Sequence, residues 1–199
     1  MEMPSHLLQT AIQLFDTANA QDPNVEVVDG EPCPRELVYA QRLTEWVIKL
    51  CPKPSEPLLL AARCQHICRW KIPRSNYPEG RAGYLKWRTD LKSFHAQMAG
   101  ELLHRAGYDA QTTEQVQALN LKKHFPNDPD SRVLEDALCL VFLEHQLTEL
   151  ASRMSKEKMI NALRKSWNKM TPLGREWAVR LSLGEREKEL VWEAIGDGR

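Results

Sequence analysis

Residues 55–70 read SEPLLLAARCQHICRW, and this stretch determines the fold class that the sequence predicts. Ser55 is a typical helix N-cap residue, and Pro57 suits the first turn of a helix. Apolar residues then occupy almost every side of that helix. Because a helix that is apolar nearly all round is a buried one, we predict a central core helix that continues to about Trp70. Its few polar residues, His66 among them, are the ones that need an explanation.

The sequence on both sides of this segment also has helical periodicity, and strand patterns are almost absent. Besides 55–70, we predict helices over about residues 6–19, 35–50, 86–106, 113–123, 131–154 and 185–195, with two more beginning near residues 155 and 171. We predict loops over 25–34, with at most a short extended piece, and over 71–84. No repeat or long linker interrupts the chain. The sequence therefore predicts an all-α fold, a single compact multi-helix domain over residues 1–199 with a core of about 35–154 and C-terminal helices 155–199 packed on it.

The amino-acid composition limits the kinds of binding partner and the cellular location that we expect for this protein. Of the 199 residues 42% are hydrophobic, which is enough for a sizeable core. Lys plus Arg and Asp plus Glu are both 27, so any anion site must be local. No apolar run approaches the ~20 residues of a membrane span, and the first residues are polar, so we expect no membrane association and no secretory signal. Five cysteines, an odd number, favour reduced thiols and a cytoplasmic location.

The most basic part of the sequence is residues 69–92. Seven Lys or Arg residues stand there against two acidic ones, with Trp and Tyr residues interleaved. Arginine forks bind phosphate or carboxylate, and aromatic rings stack on a base or sugar. This composition predicts substrate-binding residues for a phosphorylated ligand, namely Arg69, Trp70, Arg74, Tyr84, Trp87 and Arg88. The alternative is a solvated loop whose arginines pair with carboxylates of neighbouring helices.

A second group of basic residues lies near residue 170. Lys165 and Lys169 are four residues apart near the end of a predicted helix, so they share a face. We expect them to add to the anion site, although the helix dipole favours cations at that position in any case.

The order of histidines and acidic residues resembles that of the HD superfamily of metal-dependent phosphohydrolases. That family has a His-Asp pair on an apolar helix, a later histidine and a closing aspartate. On this sequence the pair falls on Gln65 and His66, the later histidine on His95 and the closing aspartate on Asp136. The family's leading histidine falls near Tyr39, which is not a usual ligand of a divalent ion. The resemblance implies an HD-domain-like fold, and these departures put the metal in doubt.

The HD resemblance also implies a chemistry. His66, His95 and Asp136 would be both the metal ligands and catalytic residues, holding Mn, Fe or Zn with positions open for water and substrate. A metal-bound water would attack phosphorus, and Lys123 would neutralise developing charge. Glu135 lies about 100° round the helix from Asp136 and is the less expected ligand. The alternative is a fold that has lost the metal and whose buried polar side chains hydrogen-bond one another.

Six short strings together resemble one uncharacterised family of bacterial and fungal domains of unknown function. They are QHICRW at 65–70, IPR at 72–74, GYLKWR at 83–88, FHA at 94–96, LEDA to FLE at 134–144, and KSWNKM at 165–170. The resemblance covers nearly the whole chain and implies no activity. Some fungal members carry a glutamyl-tRNA synthetase label, but this sequence has no ATP-binding signature and no anticodon-binding domain that would support it.

Two functions of different classes follow from the sequence. The first is a metal-dependent hydrolase that acts on a phosphorylated metabolite or nucleotide. The second is a non-catalytic nucleotide- or RNA-binding module with a metal-free basic pocket.

Overall fold

The computed structural model describes residues 5–196, and its fold is all-α, as the sequence predicts. The helices are α1 His6–Asn19, α2 Arg35–Leu50, α3 Glu56–Cys64, α4 Gly80–Ala106, α5 Ala110–Leu121, α6 Pro129–Val141, α7 Leu147–Arg153, α8 Lys156–Lys169, α9 Pro172–Arg180 and α10 Glu185–Ile195. A π-helical segment, Phe142–Gln146, joins α6 to α7. Within the described residues no helix is both long enough and apolar enough to cross a bilayer.

One hydrophobic core runs through the described chain, and α3 lies at its centre. Leu58, Leu60 and Ala61 of α3 are completely buried, and α3 packs against α1, α2, α5 and α6. The core extends beyond the predicted 35–154 range, because Phe15 of α1 and Leu190 of α10 belong to the same cluster.

The central helix ends earlier than the sequence predicts. It stops at Cys64, and Cys68 adopts a left-handed conformation with φ of 52°. The backbone N–H of Cys68 donates to the Asn19 side-chain oxygen of α1 at 3.0 Å, which holds the chain in a turn. His66 therefore lies on a buried turn between α3 and a short 3-10 segment, Arg69–Lys71, and not on a helix.

The fourth helix begins earlier than the sequence predicts. The predicted loop over 71–84 ends at Gly80, and α4 runs from there for 27 residues. Gly83 makes this start possible, because a Cβ at that position would lie 2.0 Å from the Pro78 carbonyl oxygen. Most of the basic, aromatic segment is therefore helical, which fixes the spacing of its side chains.

The predicted loop over residues 25–34 is a β-hairpin. Strands β1, Val25–Val28, and β2, Glu31–Pro34, pair antiparallel with Val25 opposite Pro34. The turn places Asp29 and Gly30 at positive φ, as two-residue hairpin turns require. A salt bridge of 2.5 Å from Arg42 to Glu26 ties the hairpin to α2.

Candidate functional site

A cavity of about 270 Å³ lies between the 65–69 turn, α4, the end of α5, α6 and the end of α8. We call it the basic cavity. It is lined by Gln65, His66, Arg69, Tyr84, Trp87, Arg88, Leu91, Lys92, His95, Lys122, Glu135, Leu138, Cys139, Phe142, Gln146, Ser166 and Lys169.

Helix α4 supplies one wall of the basic cavity. Tyr84, Arg88 and Lys92 are four residues apart, and His95 follows three residues later, so helical geometry places them on one face. The helix is anchored to the loop before it by Trp87, whose indole N–H donates to the Ile72 carbonyl at 2.9 Å. This face carries three of the four α4 side chains that the sequence predicts for the site, and Trp87 is the fourth.

Basic side chains dominate the cavity wall. Arg69, Arg88, Lys92, Lys122 and Lys169 all line it, and the only carboxylate among the described lining residues is Glu135. The pKa of Lys92 is lowered, first by burial and then by repulsion from Lys122 and Arg88. A surplus of cations in a partly buried cavity creates a positive potential that favours an anion.

Glu135 is held by two of these lysines. Its carboxylate accepts a hydrogen bond from Lys122 and lies 3.0 Å from the Lys169 ammonium. Burial raises the pKa of Glu135, but the attraction of Lys122 and Lys169 outweighs this and leaves its pKa below the usual value. The residue is therefore ionised at neutral pH and offsets one positive charge of the cavity.

His95 is a neutral imidazole with a fixed tautomer. Its Nδ1 lies 2.9 Å from the Ile67 carbonyl oxygen, so Nδ1 carries the proton and Nε2 is an acceptor. Nε2 is buried and has no hydrogen-bond partner, and neither does the buried Oε1 of Gln65. Burial, and then repulsion from His66, lower the pKa of His95 to about 3. Two acceptors beside the cavity thus lack donors among residues 5–196, and such buried acceptors are normally satisfied by water or ligand.

His66 lies between the basic cavity and the hydrophobic core. Its ring stacks on Tyr39 with centroids 4.1 Å apart and lies 5.7 Å from the His95 ring. Its Nδ1 is 3.6 Å from Oε2 of Glu36. Burial, together with the positive charge of Arg69, holds the pKa of His66 well below its usual value, so His66 is neutral at pH 7.

Glu36 is the acidic neighbour of His66. It lies in the first turn of α2 with 9% of its surface exposed. Burial, with a smaller contribution from Asp22, raises the pKa of Glu36 to about 7 despite the opposing charge of Arg69. Within the described chain its carboxylate accepts no hydrogen bond, since Arg69 Nε is 3.9 Å away.

A larger groove of about 1000 Å³ adjoins the basic cavity. The two share His66, Arg69, Trp87 and Gln146. The rest of the groove is formed by the hairpin, the first half of α2 with Glu36, the 70–74 segment, the π-helical segment and α7. Arg69 lies over the Trp87 ring, 5.0 Å from its centroid, at the boundary between cavity and groove.

The structure brings together most of the residues that the sequence predicts for the site. Those that line the basic cavity are His66, Arg69, Tyr84, Trp87, Arg88, His95 and Lys169. Trp70 and Arg74 line the adjoining groove, and Arg74 donates to the carbonyls of Tyr77 and Pro78 at 2.8 Å, which braces the loop before α4. Lys123 and Lys165 are exposed and are not among the lining residues.

Asp136 lies apart from the two histidines. Its carboxylate accepts the Thr171 backbone N–H at 2.8 Å and also the Thr171 hydroxyl, so it ties α6 to the N-terminus of α9. A Cβ at Gly174 would lie 2.5 Å from this carboxylate, which shows how closely the two helices approach. Glu135 is the acidic residue of α6 that faces the cavity.

The predicted three-ligand metal set is therefore not assembled. Among residues 5–196, no group of three or more His, Cys, Asp or Glu side chains could hold a metal ion. Glu135 is occupied by two lysines and Asp136 by Thr171, and the surrounding cations oppose a divalent ion. The donor set does not fit the metal that the HD resemblance implies, and metal binding stays a prediction.

Several residues of the cavity wall were not predicted. Lys122 replaces its neighbour Lys123 because α5 ends there with Lys122 in the left-handed conformation, φ 57°. Lys92 belongs to the basic segment and could have been found from its spacing of four residues from Arg88. Gln65 was noted only as a departure from the HD pattern, and no sequence signal indicates its role.

Comparison with known proteins identifies the family but no activity. The family described as "Domain of unknown function (DUF4202)" matches residues 9–191. No curated protein matches the chain, and no solved structure does, so the HD resemblance stays a prediction. Since the match covers nearly the whole chain, this protein belongs to the DUF4202 family.

Proposed function

We propose that the basic cavity binds the phosphate group of a phosphorylated metabolite or nucleotide. The observation that carries this proposal is the presence of five basic side chains around one carboxylate, in a chain whose formal net charge is zero. A phosphate group has several acceptor oxygens and can therefore bind Arg88, Lys92, Lys122 and Lys169 at the same time. A monatomic anion such as chloride lacks these separate acceptor atoms. A phosphate that carries a proton also has a donor for the free Nε2 of His95.

Hydrolysis of the bound ester is a second candidate function, favoured by the proximity of His66 to Glu36, whose Oε2 lies 3.6 Å from the imidazole Nδ1. A neutral imidazole can accept the proton of an attacking water, and Glu36 would stabilise the imidazolium that forms. The water oxygen then bonds to phosphorus, the bond from phosphorus to the ester oxygen breaks, and the leaving oxygen takes up the proton from the His66 imidazolium. This route uses only side chains of the cavity and the groove and does not require a metal ion.

Thermal unfolding with inorganic phosphate tests the binding proposal. Phosphate should raise the midpoint of the wild type, and Arg88→Gln and Lys169→Gln should each reduce the shift by half or more. Lys165→Gln is the matched control because Lys165 is exposed and outside the cavity wall. An equal shift in all four proteins, or none in the wild type, would contradict the proposal.

Two further measurements separate the functions that the sequence leaves open. Release of phosphate from a nucleotide panel, abolished by His66→Ala, supports the hydrolase, whereas binding without release supports the non-catalytic nucleotide- or RNA-binding module. Elemental analysis of protein purified without chelator tests for Mn, Fe or Zn.

We also propose a cytoplasmic location, since all five cysteines are free thiols.

A further inference from the structure

The basic cavity is large enough for a phosphate but small for a whole metabolite. Its volume is about 270 Å³, whereas pockets that enclose entire small ligands usually measure about 300–1,000 Å³. The adjoining groove, of about 1000 Å³, shares His66, Arg69 and Trp87 with it. A ligand whose phosphate lies in the cavity can therefore extend directly into the groove.

Most charged side chains of the groove already have partners. Arg42 pairs with Glu26 at 2.5 Å, and Arg35 and Arg153 both pair with Glu149 at under 3 Å. These groups are satisfied within the protein and have little reason to bind a ligand strongly.

Glu36 is different from the other groove carboxylates. Glu36 is 9% exposed, and neither of its carboxylate oxygens accepts a hydrogen bond from any described residue. Oε2 of Glu36 is buried with no hydrogen-bond partner among the described residues, and the contacts with His66 Nδ1 at 3.6 Å and Arg69 Nε at 3.9 Å are too long for hydrogen bonds. An ionised carboxylate in such surroundings is costly, so the arrangement favours a ligand that brings N–H donors to it. Planar aromatic surfaces stand nearby, namely Trp70 and Trp87 in the groove wall.

We propose that the ligand is a nucleoside monophosphate, with its phosphate in the basic cavity and its base in the groove, where base N–H groups donate to Glu36. This inference rests on the proposed phosphate-binding function. Above its pKa of about 7, Glu36 is mainly ionised and has two acceptor oxygens. Guanine presents two adjacent N–H donors on one edge, so guanosine monophosphate is the nucleotide that the ionised Glu36 fits best. Adenine presents a single amino group there beside an acceptor nitrogen, which would face the carboxylate unfavourably.

Calorimetric titration of the full chain at pH 8, where Glu36 is mainly ionised, with inorganic phosphate, ribose 5-phosphate, adenosine monophosphate and guanosine monophosphate tests this assignment. We expect guanosine monophosphate to bind at least tenfold more tightly than ribose 5-phosphate or adenosine monophosphate. Glu36→Gln should remove that advantage and leave the affinity for inorganic phosphate unchanged. Glu114→Gln, the same substitution at an exposed carboxylate outside both the cavity and the groove, should change neither affinity.

The outcomes distinguish this inference from the function on which it rests. If phosphate and ribose 5-phosphate bind but guanine adds nothing, or if Glu36→Gln leaves the preference intact, the assignment of the base is overturned and phosphate binding survives. If none of the four compounds binds, the phosphate site itself is overturned. Retained phosphate binding in Glu36→Gln also shows that this variant is folded.

Discussion

The Glu135 carboxylate lies 3.0 Å from the Lys169 ammonium, and this pair joins α6 to the end of α8 across the basic cavity. Glu135 is itself only 4% exposed and is also bonded to Lys122. A buried carboxylate between two lysines has two effects. It stabilises the fold by connecting the middle of α6 to the ends of α5 and α8, and it reduces the positive charge available to an anion.

Glu135→Gln should separate these two effects. We expect the free energy of unfolding to fall by about 1–3 kcal/mol, because the lysines lose their ionised partner. The upward shift of the melting midpoint by phosphate should become larger than in the wild type, since the cavity gains one net positive charge. Glu114→Gln, at an exposed position of α5, is the control and should change neither quantity. A smaller phosphate effect in Glu135→Gln would contradict this account of the cavity.

Arg74→Gln should affect folding and not phosphate binding. The Arg74 guanidinium donates to the Tyr77 and Pro78 carbonyls, so its loss leaves two acceptors without their donor and should cost about 1–2 kcal/mol. Urea unfolding measures this cost, and the phosphate-induced shift should stay within error of the wild type. A full loss of the phosphate response would contradict this and would place Arg74 in the anion site, as the composition of residues 69–92 predicts.

The buried Glu36 should make stability depend on pH. Its pKa is raised from 4.5 to about 7 by burial, so its contribution to stability is fully present below pH 4.5 and is lost as the pH rises through 7. Glu36→Gln does not titrate, so its stability relative to the wild type should grow between pH 5 and pH 8, by up to ~3 kcal/mol. Urea unfolding at four pH values measures the difference. A difference that does not vary with pH would show that Glu36 titrates normally.

Asp136→Ala should destabilise the fold and leave the anion site intact. Asp136 accepts both the backbone N–H and the hydroxyl of Thr171, so we expect a loss of about 2–4 kcal/mol in the free energy of unfolding. Thr171→Ala should lose less, because the backbone N–H remains, and the double variant should not lose the sum of the two. If Asp136→Ala lowers the metal content or the phosphate affinity and leaves the stability unchanged, Asp136 is a residue of the site and not a structural one.

The sequence predicted the elements that depend on local patterns. The N-cap Ser55 and the apolar run behind it correctly indicated a central helix, and Gly107 correctly marked the end of α4. The end of α3 could not be predicted, because it depends on a hydrogen bond from Cys68 to Asn19, which lies 49 residues earlier. The hairpin was missed because Pro32 and Pro34 are uncommon in strands and its two strands are only four residues long.

The sequence could not show which side of each helix faces the cavity, and this limited the prediction of the site residues. The HD resemblance and the basic composition of residues 69–92 pointed to His66, His95 and the basic side chains that line the cavity, but they could not show which of the neighbours Glu135 and Asp136 faces it. The same is true of Lys122 and Lys123, since a left-handed residue at the end of α5 changes the direction of the chain. A rotation of about 100° per residue is enough to exchange a cavity residue for a structural one.

The most direct test of the phosphate site is to locate a bound oxyanion. Crystals of the full chain grown with tungstate, a tetrahedral phosphate analogue, should give an anomalous peak inside the basic cavity, within hydrogen-bonding distance of Arg88 and of Lys122 or Lys169. The peak should be absent from crystals of Arg88→Gln grown under the same conditions. Tungstate bound elsewhere on the surface with none in the cavity would contradict the proposal that this cavity binds phosphate.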